Sequence, residues 1–180
     1  MRVIFMGNPE FAIPTLKALL TSHHHVVGVV SNPPKPMGRG RNLKSTAVGQ
    51  FAKENNLNLL EPAILKSDGF NHQLSDLNPD VFVVVAYRIL PKSLIELPRF
   101  GAINLHASLL PKYRGAGPIQ WSLMNGDKKT GVTIFQIKPK VDTGDILMQK
   151  EMEIQTDDNM LSLGMRLCYT GAELISKSLD

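Results

Sequence analysis

Short apolar segments alternate with amphipathic ones along most of the chain. Runs rich in Val, Ile and Leu predict buried β-strands, and these runs span residues 2–6, 26–30, 57–60, 81–86 and 102–106. Apolar residues with helical spacing predict α-helices over residues 11–20, 47–55, 68–77, 94–96, 119–125 and 159–178. Strands that alternate with helices indicate an α/β fold with a largely parallel sheet.

Three segments stand outside this regular alternation. Residues 132–137 alternate between apolar and polar positions, which predicts an edge-type strand, and residues 146–153 predict another strand. Residues 31–46 are rich in Pro, Gly, Lys and Arg, so a long loop is predicted there. Residues 23–25 are three histidines with no carboxylate or cysteine nearby in sequence, which favours an exposed turn over a metal site.

Composition is that of an ordinary globular domain. The 180 residues, 43% hydrophobic and 20% charged, can bury a core without metal or disulfide. The net charge of +4 permits an anionic partner without establishing one. The single cysteine, Cys168, excludes an intramolecular disulfide and is expected to pack within a helix. No secretory signal or bilayer-length apolar run is found, so we expect a cytoplasmic protein without a membrane partner.

Candidate chemistry lies at the end of the predicted strand 102–106. Asn104 and His106 are two residues apart, so on a strand their side chains point to the same face. Asp142 follows much later, within a Val-Asp-Thr-Gly-Asp segment. An amide donor, a group that titrates near neutral pH and a carboxylate suit chemistry at a carbonyl carbon.

Open α/β sheets bind ligands beyond the carboxyl ends of their strands. One cleft formed by residues 7–9, 86–87 and 104–106 is therefore expected.

Other motifs exclude or leave open further functions. The Gly-x-Gly-x-x-Gly pattern of dinucleotide sites is absent after the first strand, and no Walker A pattern occurs. The basic segment with Lys35, Arg39, Arg41 and Lys44 has two interpretations. On composition alone a solvated loop is slightly favoured. The alternative is a finger that contacts phosphates, in which Gly38 and Gly40 let the backbone approach closely.

Longer stretches of the chain resemble a known family. The sequence resembles the catalytic domain of the methionyl-tRNA formyltransferases, within the folate-dependent formyltransferase superfamily. The Asn-x-His-x-Ser-Leu-Leu-Pro and Asp-Thr-Gly elements resemble the superfamily. The Gly-Arg-Gly loop and the Gly-Pro-Ile-Gln segment resemble the tRNA branch. The matching segments are residues 5–12, 36–41, 83–87, 104–120, 131–134 and 142–145.

The resemblance implies a fold and an activity. The fold is a Rossmann-like, three-layer αβα formyltransferase fold with a mostly parallel, mixed seven-stranded sheet. The activity is transfer of the formyl group of 10-formyltetrahydrofolate to the α-amine of methionyl initiator tRNA in translation initiation, without a metal. The family continues into a C-terminal β-barrel domain that binds tRNA. We expect residues 1–180 to form the catalytic domain without its end and without that barrel.

Site residues follow from the matching positions. Asn104, His106 and Asp142 correspond to the catalytic trio. Residues that correspond to the folate pocket are Tyr87, Arg88, Ile89, Leu90, Ser108, Leu109, Leu110 and Val141. Arg39 corresponds to the loop arginine that reaches the tRNA acceptor end, and Arg41 and Lys44 of the same loop complete the expected tRNA contacts.

Alternatives within and beyond this superfamily stay open. Sugar-nucleotide amine formyltransferases and other folate-dependent formyltransferases share the trio. An inactive folate-binding remnant is also consistent with the sequence. A nucleic-acid-binding module is a weaker interpretation, because only Tyr113 and Trp121 lie near the basic pair Lys112 and Arg114. A monomer is expected.

Overall fold

One mixed sheet contains most of the strands. The protein is described by a computed structural model that covers residues 1–37 and 41–180. The strands in chain order are β1 (Arg2–Gly7), β2 (His25–Val30), β3 (Lys35–Met37), β4 (Asn42–Lys44), β5 (Leu59–Leu60), β6 (Val81–Val85), β7 (Ala102–His106), β8 (Lys129–Gln136) and β9 (Ile146–Glu153). Seven of them form the sheet β5-β2-β1-β6-β7-β8-β9. The first five in this order are parallel, and β8 runs antiparallel to both β7 and β9.

Helices connect the strands and begin at recognisable signals. They are α1 (Ile13–Leu20), α2 (Ala47–Glu54), α3 (Asp68–Asp76), α4 (Lys92–Ile95), α5 (Pro118–Met124) and α6 (Met160–Ser178), with a 3₁₀ helix at Glu10–Ala12. The Thr46 hydroxyl accepts a hydrogen bond from Gly49 N at the start of α2. Asn159 and Ser162 form a capping box at the start of α6. None of the helices in the described part of the chain combines the length and apolar character required to cross a membrane.

The central strands of the sheet, such as β1 and β6, are buried on both faces, which gives three layers. In β1, Val3 and Phe5 pack into one core together with residues of α1, α2 and α6. The alternate residues Ile4 and Met6 point to the other face and pack with residues of α3 and α4. The predicted three-layer α/β fold with a mostly parallel mixed sheet is therefore confirmed.

The predicted loop at 31–46 is wrong in part. Its described residues contain β3 and β4, which pair as an antiparallel hairpin with Lys35 opposite Lys44 and Pro36 opposite Leu43. The residues of β4 are all exposed. A strand pair without a buried face leaves no apolar periodicity in the sequence, and so the pattern gave no sign of it.

The predicted edge position of residues 132–137 is also wrong. β8 lies between β7 and β9, and residues 130–135 are buried. The apparent alternation came from Thr133, which is fully buried although it is polar. Its hydroxyl donates to Ser108 O and accepts hydrogen bonds from Leu110 N and Gln149 Nε2. A satisfied hydroxyl can occupy a core position without a large penalty.

The three histidines do not form a simple exposed turn. His23 is exposed, whereas His24 is buried, and His25 begins β2. His24 Nδ1 lies 3.2 Å from the Met1 amine nitrogen. Asp180, which follows α6, supplies the carboxylate that is missing from the local sequence. The turn before β2 therefore faces the segment after α6.

Thr133→Val tests whether the buried hydroxyl is important for stability. The change keeps the shape but leaves Ser108 O and Leu110 N without their partner, whereas Gln149 Nε2 keeps its hydrogen bond to Leu110 O. An unsatisfied buried group costs about 1–3 kcal/mol. We expect the free energy of unfolding, measured by urea denaturation, to fall by about that amount. Thr156→Val, at an exposed position, is the matched control and should leave stability unchanged. Equal midpoints for the two variants would contradict this assignment.

Candidate active site

The carboxyl ends of β1, β6 and β7 open into a cleft of about 680 Å³. Pro9, Ala86, Asn104 and His106 all line it, so the three strand-end segments meet as predicted. The order of the sheet changes direction at β1, because β2 lies on one side of it and β6 on the other. Ligands of open α/β sheets bind at such a switch point. The cleft also falls in the size range of small-molecule sites.

β7 places Asn104 and His106 on one face of the sheet. Asn104 pairs in register with Val84 of β6 and Phe135 of β8, which fixes its position in the middle of the sheet. Both side chains line the cleft, in agreement with the predicted alternation. His106 is 7% exposed, and Asn104 is half-buried. An amide and an imidazole are therefore presented side by side to any molecule in the cleft.

Asp142 reaches the same place from the segment after β8. Its Oδ2 lies 3.6 Å from His106 Nδ1, which is longer than a direct hydrogen bond. Asp142 Oδ2 accepts a hydrogen bond of 2.7 Å from Gly115 N, and its carbonyl accepts one of 2.8 Å from Arg114 Nε. The carboxylate is thus held beside the imidazole by the loop that follows β7. The predicted trio converges in the structure.

The backbone around Asp142 is tightly constrained. Asp142 has a left-handed conformation with φ of 49°, which Asp tolerates better than most residues. Two residues later, a Cβ atom on Gly144 would lie 1.5 Å from Gln136 O. Only glycine fits against that carbonyl, so the Asp-Thr-Gly sequence has a steric basis.

A carbonyl oxygen determines which nitrogen of His106 is protonated. His106 Nε2 lies 2.8 Å from Tyr113 O. Because a carbonyl can only accept a hydrogen bond, Nε2 must carry a hydrogen in this arrangement. Nδ1 is therefore the nitrogen that is left for Asp142 and for a ligand in the cleft. Sequence reasoning did not identify this interaction.

Tyr113 is itself fixed by a polar cluster that the sequence analysis missed. Its hydroxyl donates to Asp127 Oδ2 at 2.7 Å and accepts from Asn125 Nδ2 at 2.8 Å. Lys112 Nζ donates to the same Asp127 oxygen at 2.8 Å. The hydrogen bond from Lys112, followed by that from Tyr113, holds the pKa of Asp127 below its ordinary value. These residues join the loop after β7 to the end of α5, and no periodic pattern indicates such a connection.

The residues expected to line a folate pocket divide into two groups. Tyr87, Arg88, Ile89, Leu90 and Val141 line the cleft. In the part of the chain that the structure describes, the cleft wall does not include the other three predicted residues, Ser108, Leu109 and Leu110. Their contact with a folate stays a prediction. The backbone of Ser108 and Leu110 hydrogen-bonds to the buried Thr133 hydroxyl. This segment therefore attaches the start of the loop after β7 to β8.

Arg88 lines the cleft and also joins this part of the wall to the segment after β5 by hydrogen bonds. Its guanidinium donates to Pro62 O, Ala63 O and the Tyr87 hydroxyl. Burial raises the pKa of Tyr87, and Arg88 opposes that rise without cancelling it. The phenol therefore stays protonated at neutral pH. Further residues of the cleft wall that the sequence analysis did not assign include Phe11, Gly117, Ile119, Lys138 and Met160.

Two of the predicted tRNA contacts, Arg41 and Lys44, lie next to or on the basic hairpin, by which we mean β3 and β4. Arg39 lies outside the described residues. Arg41 and Lys44 are both exposed. Their side chains take no part in the cleft wall described above.

The base of the basic hairpin is attached next to the cleft. Asn8, which directly follows β1, accepts hydrogen bonds through Oδ1 from Asn32 N and the Ser31 hydroxyl. Its backbone carbonyl accepts one from Val48 N in α2. The next residue, Pro9, lines the cleft. Asn8 thus joins the base of the hairpin to the edge of the site, a role that the sequence did not reveal.

Cys168 has the packing role expected of it. The thiol is buried in α6, and its Sγ contacts Met165 O at 3.0 Å. Burial raises the pKa of the thiol above its ordinary value. A protonated, buried thiol is a poor nucleophile.

Comparison with solved structures shows the fold. Phosphoribosylglycinamide formyltransferase from Bacillus halodurans is 20% identical with a TM-score of 0.82, over 99% of this chain and 93% of that chain. The enzyme of the same name from Anaplasma phagocytophilum is 21% identical with a TM-score of 0.82, over 99% and 85% of the two chains. At this level of identity the similarity concerns the fold alone.

Sequence relatives are closer. A protein named methionyl-tRNA formyltransferase from Thermodesulfovibrio yellowstonii is 50% identical over 179 residues, which cover 99% of this chain and 58% of the relative. One of the same name from Alkaliphilus oremlandii is 44% identical over 180 residues, with 99% and 58% covered. The chain therefore spans less than two thirds of the length of these relatives. The family profile described as "Formyl transferase" matches residues 1–179, and the chain belongs to the formyl transferase family.

Proposed function

We propose that this chain transfers the formyl group of 10-formyltetrahydrofolate to the α-amine of methionyl initiator tRNA, in the cytoplasm. The observation that carries the proposal is the convergence of Asn104, His106 and Asp142 in one cleft. Membership of the formyl transferase family gives that convergence its reaction class, and the relatives named methionyl-tRNA formyltransferase indicate the acceptor.

The residues of the cleft fit a folate. A drug-sized ligand needs a mostly apolar wall with a few well-placed polar groups. Ile89, Leu90 and Val141 supply apolar surface, while the backbone around them and Arg88 supply hydrogen-bonding groups. A bound formyl folate would bring the reacting carbonyl carbon into the cleft. The chain's own residues then have to stabilise charge and move protons around that carbon.

Each member of the trio has a distinct task. In the transfer, a C–N bond to the amine forms and the C–N bond to the folate breaks, so negative charge develops on the formyl oxygen. The Asn104 amide can donate a hydrogen bond to that oxygen. His106 can donate only from Nδ1, because its Nε2 hydrogen is engaged by Tyr113 O. Asp142 Oδ2 lies 3.6 Å from Nδ1 and keeps a carboxylate beside that nitrogen.

The acceptor amine must lose a proton and the departing folate nitrogen must gain one. His106 Nδ1 is the ring nitrogen left for the cleft, so it can pass a proton between the two nitrogens. Asp142 Oδ2 lies 3.6 Å from it, and a small rotation of either side chain would bring the two within hydrogen-bonding distance. The neutral amine is the nucleophile, and no covalent enzyme intermediate is needed.

The basic hairpin is the proposed binding surface for the acceptor stem of the tRNA. Lys35 and Lys44 pair directly opposite each other, with the exposed Arg41 at the adjoining turn. Because Asn8 attaches the base of the hairpin beside Pro9, phosphates bound there would lie close to the reacting amine.

Asn104→Ala tests both the activity and the trio. The chain is mixed with 10-formyltetrahydrofolate and methionyl initiator tRNA, and formyl-methionine on the tRNA is quantified. Loss of one oxyanion donor lowers rates by about 10²–10³, so we expect kcat to fall by that factor. Asn55→Ala, whose amide bonds only within α2 and its end, is the matched control. Turnover in Asn104→Ala equal to that of the control would contradict the assignment of Asn104 as the donor to the formyl oxygen.

The same assay separates the alternatives. Formylation of a sugar-nucleotide amine but not of the tRNA would replace the proposed acceptor and keep the reaction. Folate binding without turnover on any amine would favour a binding remnant.

Tyr113→Phe tests how His106 is oriented. Removing the hydroxyl frees Tyr113 from Asp127 and Asn125 while the carbonyl stays in the chain. We expect kcat to fall several-fold with an unchanged KM for the folate, because the imidazole loses its fixed partner. ¹⁵N NMR of the His106 ring should show a hydrogen on Nε2 in the neutral wild-type protein and a mixture of tautomers in the variant. Tyr169→Phe, at an exposed position in α6, is the control. A neutral wild-type ring with its hydrogen on Nδ1 would refute the orientation.

A paired charge removal tests the basic hairpin. In Arg41→Ala/Lys44→Ala we expect a higher KM for tRNA with the KM for folate unchanged. The slope of log K against log salt should shrink by about 1 for each phosphate that the variant no longer binds. Lys66→Ala/Lys177→Ala removes the same charge from exposed positions on other elements. Equal salt slopes in the two double variants would show that only net charge is involved.

A further inference from the structure

A second cluster of reactive side chains lies far from the cleft. β1, β2, β6 and β7 are parallel, and the cleft lies at their carboxyl ends. His23 and His24 immediately precede β2, and so they lie at its amino end. Asp180, beyond the end of α6, meets them there. The formyl transfer proposed above uses none of these three residues.

The three side chains converge on one small volume. Asp180 Oδ1 lies 3.2 Å from His23 Nε2 and 3.5 Å from His24 Nε2. One ligand atom from each residue lies within 4.8 Å of the other two. A tetrahedral site with metal–ligand bonds of 2.0–2.2 Å places its ligand atoms about 3.3–3.6 Å apart. The two separations measured from Asp180 are close to that spacing. The two histidine nitrogens lie within 4.8 Å of each other, so a rotation of the exposed His23 ring would complete the arrangement.

His24 has a nitrogen without a partner at this point. Its side chain is only 1% exposed, and its buried Nε2 makes no hydrogen bond within the described residues. A buried polar atom without a partner requires an explanation. The Met1 amine lies against the other ring nitrogen, Nδ1, at 3.2 Å, so Nε2 is the nitrogen left for a ligand.

We propose that His23 Nε2, His24 Nε2 and Asp180 Oδ1 form a binding site for a zinc-type transition-metal dication. Two imidazoles and one carboxylate are a donor set suited to Zn²⁺, whereas Ca²⁺ and Mg²⁺ require oxygen ligands. His23 and Asp180 are 73% and 55% exposed, so solvent can supply the remaining ligand. The bound ion fastens the segment after α6 to the turn before β2, which links two distant parts of the chain.

The plain alternative is an ordinary surface ion pair. An exposed pair between a histidine and a carboxylate contributes little to stability, because water and salt screen it. In that alternative Asp180 Oδ1 stays 3.5 Å from the buried His24 Nε2, too far for a good hydrogen bond. Metal binding differs from an ion pair in its stoichiometry, its selectivity among cations and its spectroscopic signature, so the two can be distinguished by experiment.

Calorimetric titration of the chain, stripped of metal and free of any polyhistidine tag, tests the proposal. We expect one Zn²⁺ per chain, no binding of Ca²⁺ or Mg²⁺, and a higher melting temperature with Zn²⁺. Co²⁺ in place of Zn²⁺ should give the visible absorption bands of a tetrahedral site. His23→Ala and Asp180→Ala alter exposed side chains and should each weaken Zn²⁺ binding tenfold or more.

Controls keep the result interpretable. His72→Ala and Asp157→Ala remove an exposed histidine and an exposed carboxylate elsewhere and should leave binding unchanged. His24→Ala changes a buried residue, so circular dichroism must first show that it is folded. No Zn²⁺ binding by the folded wild-type chain would overturn the proposal, as would equal affinity in His23→Ala, Asp180→Ala and the controls.

Discussion

The candidate site depends on one connection, the pair of hydrogen bonds that the loop after β7 makes to Asp142. Gly115 N holds the carboxylate and Arg114 Nε holds the backbone carbonyl of the same residue. β8 runs antiparallel to β7, and Gln136 at its end pairs with Ile103 near the start of β7. The chain therefore leaves β8 away from His106 and has to fold back. The left-handed Asp142 and the tight fit of Gly144 against Gln136 O accomplish that return.

This connection also determines the chemistry of His106. The ring lies between Tyr113 O on one side and Asp142 Oδ2 on the other. Tyr113 belongs to the loop after β7 and Asp142 to the segment after β8, and hydrogen bonds join these two segments. Rotation of the imidazole would therefore disturb its contacts with both. Nδ1 of the ring is the nitrogen available to a ligand in the cleft. The hydrogen on Nε2 is used in the hydrogen bond to Tyr113 O, which fixes the orientation of the ring. Asp127 extends this arrangement to the end of α5, and Thr133 supports the same loop from inside the sheet.

Sequence reasoning succeeded where a residue's role follows from local periodicity. Alternation placed Asn104 and His106 on one face, and β-branched runs predicted the buried strands. It failed where polar groups satisfy one another over a distance. The buried Thr133 looked like a solvent-facing residue. Tyr113, Asp127 and Asn8 gave no signal, because their partners are separated from them by loops of no fixed period. The Val-Asp-Thr-Gly-Asp segment drew attention to Asp142, and the resemblance to a family then assigned it to the catalytic trio.

The basic hairpin concentrates positive charge, although the net charge of the whole chain is small. The chain has a net charge of only +4, yet β3 and β4 place Lys35 directly opposite Lys44. Like charges facing each other across a strand pair are destabilising, and the exposed residues of β4 provide no core to compensate. Under the proposed function, a phosphate bound beside the two lysines would offset this repulsion. Because its base is attached through Asn8 beside the cleft, a phosphate backbone that relieves this repulsion would at the same time bring its end to His106.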